Sequence, residues 1–227
     1  MDRVVRHFFA LSPFSKRHLS SLQECSPNRA GSNFIRRWLA IFILILIGPL
    51  SIGGWVLGLH VTGNVHVVEP GALYRSAQLD GPGLDAIINK YAIRTVINLR
   101  GPNKGQSWYD DEIAESRKDG VSHIDIRMSA RSKPAASTIK ELLAALRSAP
   151  KPILIHCKDG ADRTGLAAAL YEFLIAGQPR EAAARQLSFR YGHFPWLGSA
   201  TAAMDQSFDE IVAGDSPTAR ASGDRPN

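Results

Sequence analysis

The stretch that most limits how this chain can fold is Ile153-Leu154-Ile155-His156-Cys157-Lys158-Asp159-Gly160-Ala161-Asp162-Arg163-Thr164-Gly165. Three consecutive aliphatic residues after Lys151-Pro152 read as a buried strand. A short polar loop with a glycine follows. From Thr164 to about Ala176 the residues are small and apolar, as in a helix packed closely on its neighbours. A strand that runs through a tight loop into a helix belongs to an α/β sheet, and ligands of such sheets bind at the carboxyl ends of the strands.

The remaining pattern fits that architecture. Residues 64–75 read as two short strands around the turn Glu69-Pro70-Gly71. Residues 80–91 carry Leu84, Ile87, Ile88 and Tyr91 at helical spacing. Residues 93–99 form a buried-strand pattern, and the Gly/Pro/Asn segment 101–107 is a loop. A polar helix over 108–119 ends at Gly120. Residues 121–128 alternate, with Ile124, Ile126 and Met128 on one face and His123, Asp125 and Arg127 on the other, so a strand is expected. Residues 136–149 form an amphipathic helix, Pro179 opens another, and the last helix covers roughly 199–212. The fold class expected is α/β, a central mostly parallel sheet flanked by helices and preceded by one transmembrane helix. The expected divisions are a basic tail 1–37, an anchor 38–59, a catalytic domain 60–213 and a disordered tail 214–227.

The anchor is expected because residues 38–59 contain no charge over 22 positions. A helix of that length spans about 33 Å, enough to cross the hydrocarbon core of a bilayer. Trp38 and Trp55 suit headgroup level, and Pro49 places a kink. A cleaved signal peptide or a buried soluble helix would also produce an apolar run, but the leader is long for the first. The net charge is +6, and residues 1–37 hold +5 of it, from seven basic and two acidic residues. The rest of the chain is nearly neutral, so no nucleic-acid footprint lies on the domain. Basic residues before the apolar run, and none of Lys or Arg over 60–74, point to a cytoplasmic N-terminus and a catalytic domain on the outer, periplasm-like side. The two cysteines, Cys25 and Cys157, flank the run, and Cys157 is expected to be a free thiol.

A cysteine opening a loop that ends at a helix N-terminus meets several backbone N–H groups and the positive end of the helix dipole. Such a loop binds phosphate through its main chain, here residues Lys158, Asp159, Gly160, Ala161, Asp162 and Arg163. Arg163 adds a planar fork for two phosphate oxygens. The same field favours the thiolate of Cys157, which is the nucleophilic form. His156 orients the loop or supports the thiolate, and Thr164 can donate its hydroxyl to the sulfur as it leaves. The bland alternative is a buried cysteine at a strand end and an Arg163 in a surface ion pair.

The segment HCKDGADRTG resembles the phosphate-binding loop of the Cys-x5-Arg protein tyrosine and dual-specificity phosphatase superfamily. Leu73-Tyr74-Arg75-Ser76-Ala77-Gln78 and Thr95-Val96-Ile97-Asn98-Leu99-Arg100 are similar to its bacterial dual-specificity-like branch. The resemblance covers about residues 64–212. It implies a phosphocysteine intermediate on Cys157, a carboxylic acid that protonates the leaving oxygen, and no cofactor or metal. It also implies a phosphorylated protein or a phosphoinositide as substrate. Members of the superfamily place the acid some thirty residues before the cysteine. Asp125 has that separation but falls in an expected strand, and Ser129 to Pro134 contains no carboxylate. Asp162 is the rival, with Asp110, Asp111 and Glu112 further back. For Asp162 the structural alternative is bracing the loop from below, and Asp159 is expected to face outward. Lys158, Arg131 and Lys133 suit a polyanionic substrate or are simply solvated. Arg190, Tyr191, His193 and Trp196 form a polar-aromatic turn expected to pack near the site, with a structural role for His193. A catalytically silent phosphate-binding module is the alternative from another class. Arsenate reduction lacks resolving cysteines, and a rhodanese is the remaining cysteine-loop enzyme.

Overall fold

A computed structural model describes residues 29–196 and 198–215, and the side chains from Arg36 to Gly214 apart from Leu197. Residues 1–28 of the expected basic tail lie outside the described residues, as does the tail expected to be disordered beyond Asp215. The chain divides into two units, Met1–Leu50 and Ser51–Asn227.

The first unit is described from Arg29 as helix α1, which runs to Val61 and so reaches into the second unit. The helix is longer than the expected anchor 38–59, continuing through Arg36 and Arg37 on one side and His60 and Val61 on the other, with no proline in either extension. Its apolar side chains Leu39, Phe42, Leu44, Ile45 and Ile47 are exposed. By length and composition, Arg36–Val61 is able to cross a membrane.

In the second unit β1 (His66–Glu69) and β2 (Leu73–Ser76) form a hairpin at the expected turn. There follow α2 (Gly81–Tyr91), β3 (Thr95–Asn98), α3 (Ser107–Lys118), β4 (Ser122–Asp125), α4 (Ala136–Ser148), β5 (Ile153–His156) and α5 (Asp162–Leu174). The chain ends in a short α6 (Arg180–Ala183), two 3-10 turns and α7 (Ala202–Asp215). The strand order is β1-β2-β5-β3-β4, and only the β1–β2 pair is antiparallel.

Three boundaries differ from expectation. The strand expected over 121–128 is assigned over Ser122–Asp125, yet its pairing runs on, since Ile126 N–H donates to the Asn98 carbonyl at 2.9 Å and Met128 N–H to the Leu99 carbonyl at 3.2 Å. Ile126 and Met128 are buried and Arg127 is exposed, so the alternation continues with the pairing. α5 starts at Asp162 and not at Thr164, and this places Asp162 in its first turn. α7 runs over 202–215 and so crosses the expected domain boundary at 213.

Strand pleating divides the core. Leu73, Ile97, Ile153 and Ile155 face one side, against Ile139, Leu142 and Leu146 of α4, the wholly buried Leu166–Leu170 of α5 and Phe208 of α7. Tyr74, Val96 and Leu154 face the other, against Leu84 and Ile88 of α2. A helix apolar on every side must be buried on every side, and α5 is the helix the loop leads into.

Candidate active site

The same pleating aims the residues at the carboxyl ends of the strands. In the parallel register Ser76 and Asn98 both lie opposite His156, and Asn98 lies opposite Asp125. These four polar residues form one row across the sheet end, on the face of Tyr74 and Leu154. Cys157, one residue further, belongs to the opposite face with α5, and it is a buried free thiol.

The loop after Cys157 is tightly held from outside. Gly160 has φ +70°, and a Cβ there would lie 2.7 Å from the backbone of Ser76 and Ala77. Only glycine allows that approach. Gln78 N–H donates to the Lys158 carbonyl at 3.1 Å, and Asn64 Nδ2 donates to the Asp159 carbonyl at 2.9 Å. Arg75 is fully buried beneath the loop. Its guanidinium donates to the carbonyls of Gly160 (2.7 Å) and Gln186 (2.9 Å) and to Gln186 Oε1 (2.6 Å), and it lies 3.9 Å from the Tyr191 ring centroid. Burial pulls the Arg75 pKa down to about 10, which still leaves it charged near neutral pH.

With the carbonyls pulled downward, the N–H groups are left free. Among the described residues none of the backbone N–H groups of 158–161 has a hydrogen-bond acceptor. The buried Arg163 Nε and Thr164 Oγ1 have none either. Arg163 is half-buried and its Nη1 reaches only the Met128 carbonyl, at 3.4 Å. A loop of unpaired donors at a helix N-terminus is an anion site. The Lys158 and Asp159 side chains are both exposed.

Arg100 stands at the same mouth. It stacks over Trp108 at 3.5 Å from the ring centroid and donates to Gln78 Oε1 at 3.1 Å. Burial and then the charge of Arg163 lower its pKa. Lys133 pairs with Glu210, and Arg131 is exposed.

Behind the loop, Glu112 of α3 is buried among His123 Nε2 (2.7 Å), Gln78 Nε2 (2.6 Å) and His156 Nε2 (3.2 Å). The last contact is a charge contact without hydrogen-bond alignment. Burial alone would raise the Glu112 pKa. The His156 imidazole and the donors on His123 and Gln78 outweigh it and hold the carboxyl well below the usual range.

The two rival carboxylates are placed differently. Asp125 Oδ1 accepts from Asn98 Nδ2 at 2.8 Å and Oδ2 from Tyr109 Oη at 2.6 Å, so both oxygens are engaged at the end of β4. Burial, then the bond to Asp125, pushes the Tyr109 hydroxyl up to about 12. Asp162 Oδ1 meets His193 Nδ1 at 2.7 Å, and His193 Nε2 meets Asp205 Oδ2 at 2.8 Å. Burial of His193 lowers its pKa, but the two carboxylates more than offset this and the net shift is upward. Of the other acids, Asp110 accepts from the Gly105 N–H, and Asp111 is exposed.

Thus Cys157, the 158–161 main chain, Arg163 and Thr164 come together, and Asp125 is held by Asn98 and Tyr109 at the end of β4. Sequence reasoning assigned no role to Arg75, Asn64 or Gln78. The signal available was a lone charged residue, Arg75, within the apolar strand Leu73–Ser76, where an unpaired charge is not tolerated.

A parallel sheet whose central strand ends in this loop defines a phosphatase of the cysteine-loop class. The chain belongs to the tyrosine phosphatase family, whose profile matches residues 56–186. It is 26% identical over 167 residues to the dual specificity protein phosphatase TpbA of Pseudomonas aeruginosa, an alignment covering 66% of this chain and 71% of that protein. Two solved structures share the fold. A DUF442 protein of Shewanella putrefaciens CN-32 has a TM-score of 0.52 at 17% identity, covering 66% of this chain and 89% of the other. The core catalytic domain of the PP-IP phosphatase SIW14 of S. cerevisiae has a TM-score of 0.50 at 19% identity, covering 66% and 88%.

Proposed function

We propose that the chain is a membrane-anchored phosphatase that hydrolyses phosphomonoesters through a phosphocysteine. The observation that carries this reading is the set of unpaired loop N–H groups beside the buried Cys157 and the half-buried Arg163. The substrate phosphate lies against those N–H groups and Arg163. The Cys157 thiolate attacks phosphorus, so an S–P bond forms as the ester P–O bond breaks, and an acid gives the leaving oxygen its proton. Water then attacks phosphorus, the S–P bond breaks, and the water's proton passes to the same carboxylate. His156 and Thr164 support the thiolate from either side.

We assign the acid to Asp162. Asp125 has both oxygens committed, and Glu112 is buried among imidazoles. Asp162 stands in the turn of the loop with 20% of its side chain exposed. Asp162 uses Oδ1 for His193, and Asp205 takes the other ring nitrogen. The substrate class is phosphoprotein or phosphoinositide. The catalytic domain spans residues 60–213, anchored through 38–59 with the N-terminus in the cytoplasm and the domain outside. The excess of basic residues before the apolar run supports this orientation.

Cys157→Ser tests the chemistry. Turnover of an aryl phosphate should vanish while phosphate binding persists, since main-chain N–H groups and Arg163 hold the anion. Near wild-type turnover in that variant would remove the assignment. Lost binding alongside intact folding would count against the phosphate loop. A C-terminal reporter active only outside the cytoplasm tests the orientation, and an inactive reporter overturns it.

A further inference from the structure

We propose that Phe189, Phe194 and Trp196, together with Trp55, form a docking face that seats on the interfacial zone of the bilayer. This rests on the reading of residues 38–59 as an anchor. Four rings make a continuous chain. Trp55 stacks on Phe189 at 6.2 Å, Phe189 meets Phe194 edge-on at 4.7 Å, and Phe194 meets Trp196 at 5.7 Å. All four are exposed, by 44%, 36%, 36% and 60%.

The segment that carries them is divided by residue. Tyr191 lies over Arg75 beneath the phosphate loop, and His193 is enclosed between Asp162 and Asp205. Its inward half is therefore accounted for by the site. Gly192, at φ +84°, turns the chain so that Phe189 and Phe194 meet on the outside. Phe189 and Trp196 take no part in the site, while Phe194 also lines a cavity beside the phosphate loop. A contiguous apolar patch of this kind marks an interaction surface.

Its position selects the occupant. An anchor beginning after Arg37 needs about 20 residues to cross the hydrocarbon core, which brings the boundary to the neighbourhood of Trp55. Aromatic residues with a polar edge concentrate at that boundary. The rings that extend from Trp55 therefore lie at the same level. Arg190 is exposed within the same segment and suits anionic headgroups. A cavity of about 230 Å³ is lined by Val56, Leu59 and His60 of α1 and by Asp159, Ala161 and Asp162 of the phosphate loop. Seating the aromatic face thus sets how far the phosphate loop stands from the lipid surface. It directs the enzyme to phosphates presented there.

The test uses the full chain in phosphatidylcholine–phosphatidylglycerol vesicles, with Trp38, Trp55 and Trp108 replaced by Phe so that Trp196 alone emits. Lipids brominated high on the acyl chain should remove most of the Trp196 emission. Lipids brominated near the chain end should remove little, as for a ring about 5–10 Å into the headgroup boundary. If the protein floats with the vesicles but Trp196 is not quenched, the docking face is refuted and the anchor stands. A blue-shifted, unquenched Trp196 would assign the face to a second copy or another protein. If the protein does not float, the anchor reading fails and this inference falls with it. Should the triple variant not fold, fluorotryptophan labelling of the unaltered chain, with paramagnetic lipid, gives the same reading. The resonance assigned through Trp196→Phe should broaden, and its persistence would refute docking.

Discussion

The phosphate loop is flanked by two carboxylate–imidazole clusters of opposite composition. Behind it, one carboxylate, Glu112, sits between His123 and His156. At its rim, one imidazole, His193, sits between Asp162 and Asp205. The surplus partner decides the charge state of the lone member. The His156 imidazole and the donors on His123 and Gln78 hold the Glu112 carboxyl well below the usual range despite its burial, and two carboxylates shift the His193 pKa upward despite its burial. The first cluster braces the base of the loop, and we place the proton transfer at the second. We read the same side-chain types, counted differently, as a scaffold in one place and an acid in the other.

The sharpest way to break this comparison is at the surplus carboxylate. Asp162→Asn should lower turnover of alkyl phosphates by about 10²–10⁴, the range of general acid catalysis. An activated aryl phosphate, whose leaving group needs no proton, should be far less affected. Equal loss on both substrates would mean loop collapse and no acid role. Asp125→Asn should cost less than tenfold on either, and a leaving-group-dependent defect there would move the acid to β4.

At the other cluster the expected loss is in stability. Glu112→Ala leaves His123, His156 and Gln78 without their acceptor in a buried setting. It should destabilise the fold by about 3 kcal/mol, read as a lower urea midpoint. A midpoint near wild type would show that the cluster does not brace the loop.

Between the two clusters runs the loop itself. Gly160→Ala forces a Cβ into the backbone of β2 at a positive φ. The backbone conformation alone costs about 1–2 kcal/mol. Phosphate affinity, measured by calorimetry, should fall with activity, because the N–H groups would be re-aimed. Unchanged phosphate affinity would refute the loop geometry.

The smallest effects are in pH, and their signs differ. His193 has a folded pKa above its ordinary 6.5. Its contribution is complete below that value and disappears as pH rises through the folded one. Glu112 has a folded pKa below its ordinary 4.5, so its contribution is complete above that value and is lost only as pH falls through the folded one. Unfolding free energy should thus decline as pH rises above 6.5, and His193→Gln should flatten that decline. A decline identical in His193→Gln would place its origin elsewhere.

Much of this was legible in the sequence because it is local. The continuous apolar run Ile153–Ile155, the turn at Glu69-Pro70-Gly71 and the helical spacing of Leu84, Ile87 and Ile88 are short-range steric and burial requirements. The α/β class followed from them, and so did a tight loop between a buried strand and a helix. The start of α5 at Asp162, two residues before the first small apolar position, was not legible. Nor could spacing choose between Asp125 and Asp162. Asp125 acquires its partners from β3 and α3, 27 and 16 residues away, and Asp162 acquires His193 from 31 residues on. Arg75 is clearest of all: in the sequence it is an odd charge within a strand. Tertiary packing alone brings it the carbonyls of Gly160 and Gln186, 85 and 111 residues away. Local pattern determines which elements form, because neighbouring residues compete for the same backbone and the same water. The partner of a buried charge is decided only when distant segments close around it.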